Sequence, residues 1–204
     1  MADVTISQLS IGSPDKITAV IPYSDGASTL KTSPSGIVAA SPGCLLQVQQ
    51  AVRTSTFLHN YGQVWKDVSP LSAVMIPSSI NSKFLINWSG SVSVQYAYGT
   101  GTQVSAYKIV RTINGVDSDT ILGDTRGSGV RASSCTYAVG NHVASTFTGM
   151  YLDSPNTLSP VTYRFQMWAE NSAVYNSLLG GSFNTNQTYD TNVPTYLTVQ
   201  EIAG

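Results

Sequence analysis

The sequence predicts an all-β fold in which two sheets pack face to face, and two features predict it. Every second residue from Phe84 to Tyr98 is apolar except Gly90, and the residues between them are mostly small and polar. Successive side chains of a strand point to opposite faces of a sheet, so one face is expected to be buried and the other wet. We expect Gly90 to mark a bend or bulge. The second feature is that no sustained apolar stripe at helical spacing occurs anywhere in the chain.

The same alternation recurs along the chain and defines the predicted strands. From Gly43 onward they cover residues 45–54, 55–60, 63–68, 72–76, 83–88, 91–98, 104–113, 116–122, 145–152, 161–169, 172–176 and 195–202. Asn114 and Gly115 form the strongest hairpin signal, since both residues tolerate the positive φ of a two-residue turn. Long loops are predicted near 123–142 and 177–194, which are rich in turn-forming and small polar residues.

The first 42 residues differ from the rest of the chain. Residues 4–9, 19–23 and 28–31 are predicted as short strands, with a turn at 24–26, and four prolines interrupt any longer element. This segment is too short to hold a core alone, so we expect a partner or symmetry-related copies to order it. The sequence thus divides into an N-terminal segment, 1–42, and a β-sandwich domain, 43–204.

Charge is scarce in this chain. Charged residues make up 10% of its 204 residues, and ten basic against eleven acidic residues give a net charge of −1. Ordinary globular proteins contain about 25% charged residues. Without a basic patch we predict no nucleic-acid partner and no binding to an anionic membrane. The N-terminus lacks signal-peptide features and no apolar run reaches the length of a membrane span, so we expect a protein made in a cytoplasm without membrane insertion.

The cysteines and histidines show no reactive or metal-binding pattern. Cys44 and Cys135 lie among strand-like residues, which favours buried free thiols over a disulfide bridge. His59 and His142 lie beside turn residues and are predicted to be solvated loop residues rather than ligands.

The carboxylates are also interpreted as structural. Asp117, Asp119 and Asp124 have the spacing of a loose calcium loop, but turn formation and loop capping by aspartate is the favoured interpretation. Asp153 begins the sequence Asp-Ser-Pro and is predicted to form an Asx-type turn with backbone amides. No acids are paired as glycoside hydrolysis requires, so we predict no catalytic residue, no metal site and no cofactor, and keep a surface-polysaccharide hydrolase as the least favoured alternative.

An ordered set of segments resembles the C-terminal jelly-roll module of fibres and other virion proteins of tailed bacteriophages, especially those of cyanobacteria. The segments are residues 44–54, 77–86, 152–155, 174–176 and 198–203. The resemblance implies a homotrimeric jelly-roll β-sandwich of the TNF/C1q type. One departure is Ser177, which stands where a basic residue is expected after Asn176, so a different contact is expected to hold the next loop.

The aromatic content is consistent with such a trimer, which would bury aromatic stripes along its threefold axis. The chain contains 11 Tyr and 3 Trp, several of them on predicted strand faces. The alternative is that these side chains fill the sandwich core, and for any single residue the core is favoured.

The N-terminal segment, through residues 5–9, 19–26 and Thr29, is similar to short attachment modules of phage fibres and decoration proteins. The resemblance implies that this segment seats the protein on other virion proteins, with the apolar residues Ile6, Leu9, Ile21 and Tyr23 as candidate contacts. The expected location is therefore the virion.

Two roles remain open for such a virion protein. One is a short trimeric fibre or knob that binds host-surface glycan, and the other is a capsid decoration or head-fibre protein that stabilises the shell. For glycan binding the candidates lie in the second long loop, where amides can pair with sugar hydroxyls and a ring can pack on a sugar face. They are Asn184, Asn186, Gln187, Tyr189 and Asn192. The alternative is a polar loop packed on a neighbouring subunit.

Overall fold

The computed structural model describes residues 21–24, 29–32, 42–96, 102–120, 122–124, 127–139, 144–170, 175–182 and 192–204. Every regular element in these residues is a β-strand, which confirms the all-β prediction. The strands are β1 (Ile21–Ser24), β2 (Thr29–Thr32), β3 (Leu45–Arg53), β4 (Phe57–His59), β5 (Lys66–Met75), β6 (Lys83–Tyr96), β7 (Thr102–Ile113), β8 (Val116–Asp119), β9 (Ser134–Val139), β10 (Ser145–Asp153), β11 (Val161–Ala169), β12 (Tyr175–Leu179) and β13 (Thr195–Ile202).

The N-terminal segment contains an antiparallel pair of short strands. In this pair β1 and β2 are in register from Ile21 opposite Thr32 to Ser24 opposite Thr29. Two of the predicted N-terminal strands therefore form and pair with each other. The predicted strand at 4–9 and its candidate contacts Ile6 and Leu9 lie outside the described residues.

One sheet of the sandwich is organised around β6, a strand of 14 residues. Along one edge of β6 runs β10, while β13 and β12 lie one after the other along its other edge. The sheet is extended by β3 beyond β13 and by β4 beyond β12, and all of these pairs are antiparallel.

The second sheet is organised in the same way around β7. One edge of β7 pairs with β11, which in turn pairs with β5, and the other edge pairs with β8 and β9 in succession. The strand β9 lies inside the long loop predicted near 123–142, so that prediction is wrong at this point. It contains the strand formers Thr136, Tyr137 and Val139 but is only six residues long, and pairing with the free edge of β7 completes it.

The core between the sheets is rich in aromatic side chains. Buried apolar residues of β5, β6, β7, β10, β11 and β13 form one cluster, which includes Phe84 and Ile86 from the alternation that predicted the fold. The ring of Tyr107 stacks on Phe147 at 4.0 Å and on Phe165 at 5.6 Å between centroids. For these aromatic residues the core interpretation is the correct one.

Gly90 does not introduce a bulge, contrary to the sequence-based expectation, because β10 pairs with residues 84–92 of β6 in unbroken register. A Cβ atom at Gly90 would lie 2.8 Å from the Phe147 ring and 2.9 Å from Thr195. The position therefore needs glycine for space. Beyond it the supposedly wet face is also buried, since Ser91 and Ser93 are inaccessible and the Ser93 hydroxyl donates to the Gly181 carbonyl at 2.6 Å.

Candidate functional site

Three successive rows on the outer face of the β6 sheet carry no charged residue across four strands, and the exposed Lys83 of β6 lies one row beyond them. The outward positions of these three rows, on β3, β13, β6 and β10, are what we call the uncharged face. The rows are Val48, Gln200, Leu85 and Leu152, then Gln50, Thr198, Asn87 and Met150, then Val52, Tyr196, Ser89 and Thr148.

Apolar side chains are strongly exposed on the uncharged face. Met150 is 69% exposed, Val48 47% and Leu152 44%. Two shallow depressions of about 330 and 100 Å³ border Tyr196. Large apolar patches on an otherwise polar surface are typical of interaction sites.

The outer face of the β7 sheet is the opposite in character, because it carries a network of ion pairs. The guanidinium of Arg164 contacts the carboxylates of Asp67 and Asp117, and the Lys108 ammonium lies 2.9 Å from Asp119. A hydrogen bond from Thr112, together with Arg164, lowers the pKa of Asp117. Asp117 and Asp119 therefore act in ion pairs across strands, and not as the turn and loop caps that the sequence favoured.

A groove of about 570 Å³ lies on the same outer face, where β9, β7 and β11 meet. Its floor is one row of three residues: Trp168 on β11, Ala106 on β7 and Cys135 on β9. The residues around the groove include Asp124, Arg131 and Glu170. We call this site the Trp168 groove.

Sequence reasoning missed the Trp168 groove, although a signal for it exists. In β11 the inward residues run on odd positions to Met167, and Trp168 places a large apolar side chain on the outward parity. An apolar residue on the wet parity of a strand indicates that something covers that face, and here the protein itself covers most of Trp168, which is 8% exposed.

The candidate glycan residues fall mostly outside the described residues. Asn184, Asn186, Gln187 and Tyr189 lie there, as does His142. Asn192 is exposed and forms an isolated bridge with Gly181.

His59 differs from its prediction, because it is only 1% exposed and ends β4 opposite Ser177. Its Nε2 atom lies 3.0 Å from the Val64 carbonyl oxygen, so this nitrogen donates, while Nδ1 is buried without a partner among the described residues. Burial lowers the pKa of His59. The turn signal that suggested a solvated residue begins one position later, at Asn60.

The cysteines are free, as predicted, but they are not buried. Cys44 is half-buried and Cys135 is exposed on the outward side of β9. No group of three or more metal-ligating residues occurs in the part of the chain that the structure describes. Among the same residues there is no helix of the length and hydrophobicity that a membrane crossing needs.

Comparison with protein-family models gives no matching family, and comparison with curated proteins gives no similar sequence. Among solved structures, the chain matches the structure of the infectious bursal disease virus Gx strain at 10% identity and a TM-score of 0.32, over 91% of this chain and 41% of that one. It also matches the VP2 subviral particle of infectious bursal disease virus at 11% identity and a TM-score of 0.32, over 91% of this chain and 43% of that one. The chain thus spans less than half the length of these proteins. Superpositions this loose transfer neither fold nor function, and the all-β assignment rests on the strands of this chain itself.

Proposed function

We propose that this protein is a structural component of a bacteriophage virion, a short homotrimeric fibre or knob that is seated on the particle by residues 1–42. The observation that carries the proposal is the uncharged face. In a ring of three copies the two surfaces that meet at each contact differ, but residues at the threefold axis meet their own copies, so like charges come together there unless the surface at the axis has none. The uncharged face meets that condition in a sandwich whose other outer face carries ion pairs.

The size of the uncharged face also suits a contact between subunits. Four strands about 4.8 Å apart and three rows spaced about 7 Å apart give roughly 400 Å² in projection. Six of the twelve residues of this face are apolar and six are uncharged polar, a mixture close to the about 56–58% non-polar area of ordinary protein interfaces. The next row at one end contains the exposed Leu45, the half-buried Ile202 and the exposed Lys83, so the uncharged face ends there.

The test is to introduce a charge into the uncharged face. Met150→Glu changes a side chain that is 69% exposed, so it is expected to leave the subunit folded and reduce the mass in light scattering from trimer to monomer. Val74→Glu is the matched control, because Val74 is 56% exposed on the outer face of the other sheet. Two outcomes contradict the proposal. One is a Met150→Glu protein that is still a trimer. The other is a parent protein that is monomeric at micromolar concentration and also stays monomeric on the particle.

The attachment role of residues 1–42 is tested by deleting them. We expect the remaining sandwich to fold, because the described core lies entirely within residues 68–203, but to be missing from assembled virions. Normal incorporation of the shortened protein would show that the particle is bound through another part of the chain.

Adhesion to host-surface glycan is the role proposed for the loop that contains Asn186 and Tyr189. Replacing Tyr189 and Asn186 together by Ala is expected to leave assembly intact and reduce adsorption of the phage to host cells. The role of capsid decoration would be supported instead by two results together. Adsorption of the double variant would be unchanged, and particles that lack the protein would lose DNA when they are heated or osmotically shocked.

A further inference from the structure

We propose that the end of the sandwich at which the chain enters, at residue 43, is a docking surface for the same virion protein that holds residues 1–42. The inference rests on the proposed attachment role of those residues and deepens it, because it assigns a second contact within the sandwich domain itself. The partner that this end suits is an apolar, uncharged protein surface.

The register of the strands brings several connections together at one end of the sandwich. Val161, the first residue of β11, is opposite both Met75 and Ile113, which are the last residues of β5 and β7. The connections next to these residues therefore lie side by side. The turn of residues 76–82 crosses at this end from β5 to β6 in the other sheet.

The sandwich domain also begins at this end. The Gly43 amide donates to the Ala203 carbonyl at 2.7 Å, and the Ala203 amide donates to the Cys44 carbonyl at 2.8 Å. The neighbouring residue Ile202 is opposite Lys83, which is the first residue of β6. We call the following segments the entry end: residues 43–45, 76–82, 114–116 and 154–160.

Each segment of the entry end exposes at least one large apolar side chain. These side chains are between 53% and 70% exposed, and none of them belongs to the core cluster. They are Leu45, Ile76, Ile80, Val116 and Leu158. Turns are normally built from glycine, proline and small polar residues, and exposed apolar residues that gather at one place are typical of an interaction site.

The entry end contains no charged residue. Of the charged residues next to it in the chain, Asp153 pairs with Arg111 and Asp117 pairs with Arg164, while Lys83 is exposed. A strongly charged partner surface would lose its water against the entry end without gaining opposite charges in return. The composition of this end therefore favours a partner surface that is apolar and uncharged.

Chain length keeps the hairpin of β1 and β2 close to the entry end. Thr32, the last residue of β2, and Pro42 are ten residues apart, and an extended chain covers at most about 3.6 Å per residue, so they lie within about 36 Å of each other. The 14 residues of β6 run away from the entry end over roughly 43 Å, at about 3.3 Å per residue. The base of the hairpin, where Ile21 is opposite Thr32, therefore cannot reach the far end of β6.

The hairpin itself needs a cover. It forms a two-stranded sheet of its own, and an isolated pair of strands is marginally stable in water. A virion protein that covers the hairpin lies on the side of the entry end. Binding of the hairpin then holds the entry end against the same surface at an effective concentration of about millimolar, so a weak apolar contact is enough to add to attachment.

The first experiment measures binding of the purified full-length protein to virions that lack it, as protein bound per particle against concentration. Ile80→Glu combined with Leu158→Glu introduces charge into two turns of the entry end and is expected to weaken binding about tenfold or more. Val64→Glu combined with Tyr137→Glu is the matched control, because these exposed apolar residues lie towards the opposite end and should bind like the parent. Equal binding by the entry-end variant and the parent overturns the inference.

Circular dichroism and light scattering check that both double variants keep the fold and the mass of the parent. A lower mass for the entry-end variant alone would show that this end joins copies of the chain, which also overturns the inference.

Photo-crosslinking on assembled virions tests the contact without introducing a charge, and it decides the question if the charged variant does not fold. With p-benzoylphenylalanine in place of Leu158, we expect a crosslink to the same virion protein that is crosslinked from the position of Tyr23. The same amino acid in place of Tyr137 should not crosslink to that protein. Crosslinks from position 158 only to residues 1–42 of the same chain, or only to another copy of the chain, overturn the inference.

The outcomes also separate this inference from the proposed function. A protein that needs residues 1–42 to bind virions, but binds equally well with a charged entry end, overturns the docking surface alone. A full-length protein that does not bind virions at all overturns the virion role, and the docking surface with it.

Discussion

The Nη1 atom of Arg111 lies 2.9 and 3.0 Å from the two carboxylate oxygens of Asp153, and this ion pair joins the two sheets. Arg111 is an inward residue of β7, and Asp153 ends β10 in the other sheet. The hydroxyl of Tyr163 on β11 donates to the same carboxylate at 2.7 Å. Asp153 was expected to form a turn with backbone amides. The structure instead buries it and gives it two side-chain donors, so its structural role is to hold the sheets in alignment.

Removing Arg111 is therefore expected to destabilise the protein strongly. Arg111→Met leaves a buried carboxylate without its cation, which costs about 3–5 kcal/mol of unfolding free energy. Tyr163→Phe removes a single donor and should cost about 1–3 kcal/mol. Urea denaturation measures both. Arg164→Met is the control, because its partners Asp67 and Asp117 are exposed whereas Asp153 is buried, and these ion pairs are expected to contribute less than about 1 kcal/mol each. Equal losses for Arg111→Met and Arg164→Met would show that the contact between the sheets contributes nothing beyond a surface ion pair.

Glu201 is expected to make stability depend on acidic pH. Burial alone would raise its pKa, but hydrogen bonds from Ser82, Ser78 and Gln47 lower the pKa overall. Between the folded and the unfolded pKa, the folded protein keeps this carboxylate ionised while the unfolded chain takes up a proton. The stability that Glu201 contributes is therefore complete above the unfolded pKa of 4.5 and is lost as pH falls through the folded pKa.

Replacement by glutamine tests this dependence. Glu201→Gln should be less stable than the parent at neutral pH, and its stability should fall less steeply below pH 4.5 in denaturation curves measured at several pH values. Asp67→Asn, at an exposed ion pair, is the comparison. Parallel pH profiles for the parent and Glu201→Gln would contradict the assignment.

His59 also contributes stability that is lost on acidification, in a higher pH range than the contribution of Glu201. Because burial lowers its pKa below 6.5, the unfolded chain binds a proton before the folded protein does, and stability is lost as pH falls from 6.5 towards the folded pKa. The proton can be followed by NMR of the imidazole ring, which should titrate below pH 6.5 in the folded state. An imidazole that titrates at its ordinary pKa would mean that His59 is solvated after all.

Gly149 is expected to tolerate no side chain. A Cβ atom at this position would lie 2.1 Å from Cζ2 and 2.3 Å from Cε2 of the core residue Trp88. Overpacking a core typically costs about 1–3 kcal/mol, and Gly149→Ala should destabilise the protein by at least this amount. Gly123→Ala is the matched control, since its nearest neighbour would be 3.8 Å away. A thermal unfolding midpoint of Gly149→Ala equal to that of Gly123→Ala would mean that the indole moves freely.

Chelation and polysaccharide digestion test the remaining expectations about chemistry. The carboxylates of Asp117 and Asp119 already contact Arg164 and Lys108, so EDTA should leave the melting temperature unchanged. Incubation with host polysaccharide should release no reducing ends. A drop of several degrees on chelation would restore the calcium interpretation of these aspartates, because removal of a bound ion destabilises the folded state.

The strands that the sequence predicted best are β10 and β11, whereas β6 was predicted as two strands, 83–88 and 91–98, and is a single strand from Lys83 to Tyr96. Shorter strands were displaced or missed, as β9 shows, because a strand of six residues is formed by the edge that it pairs with as much as by its own side chains. Only fragments of the uncharged face could be predicted from the sequence. Met150 and Leu152 sit on β10 with the same parity, but the residues that complete the uncharged face come from three other strands.

The sequence by itself determined the class of fold, the inward parity of the main strands and the scarcity of charge, because side-chain alternation and composition are properties of each segment alone. Only the tertiary structure decided where the uncharged face lies, that Asp153 pairs with Arg111, and that Trp168, Ala106 and Cys135 share one groove. Those relationships depend on which strands become neighbours, and neighbours in an antiparallel sheet are set by pairing and register between distant segments, which local patterns do not encode.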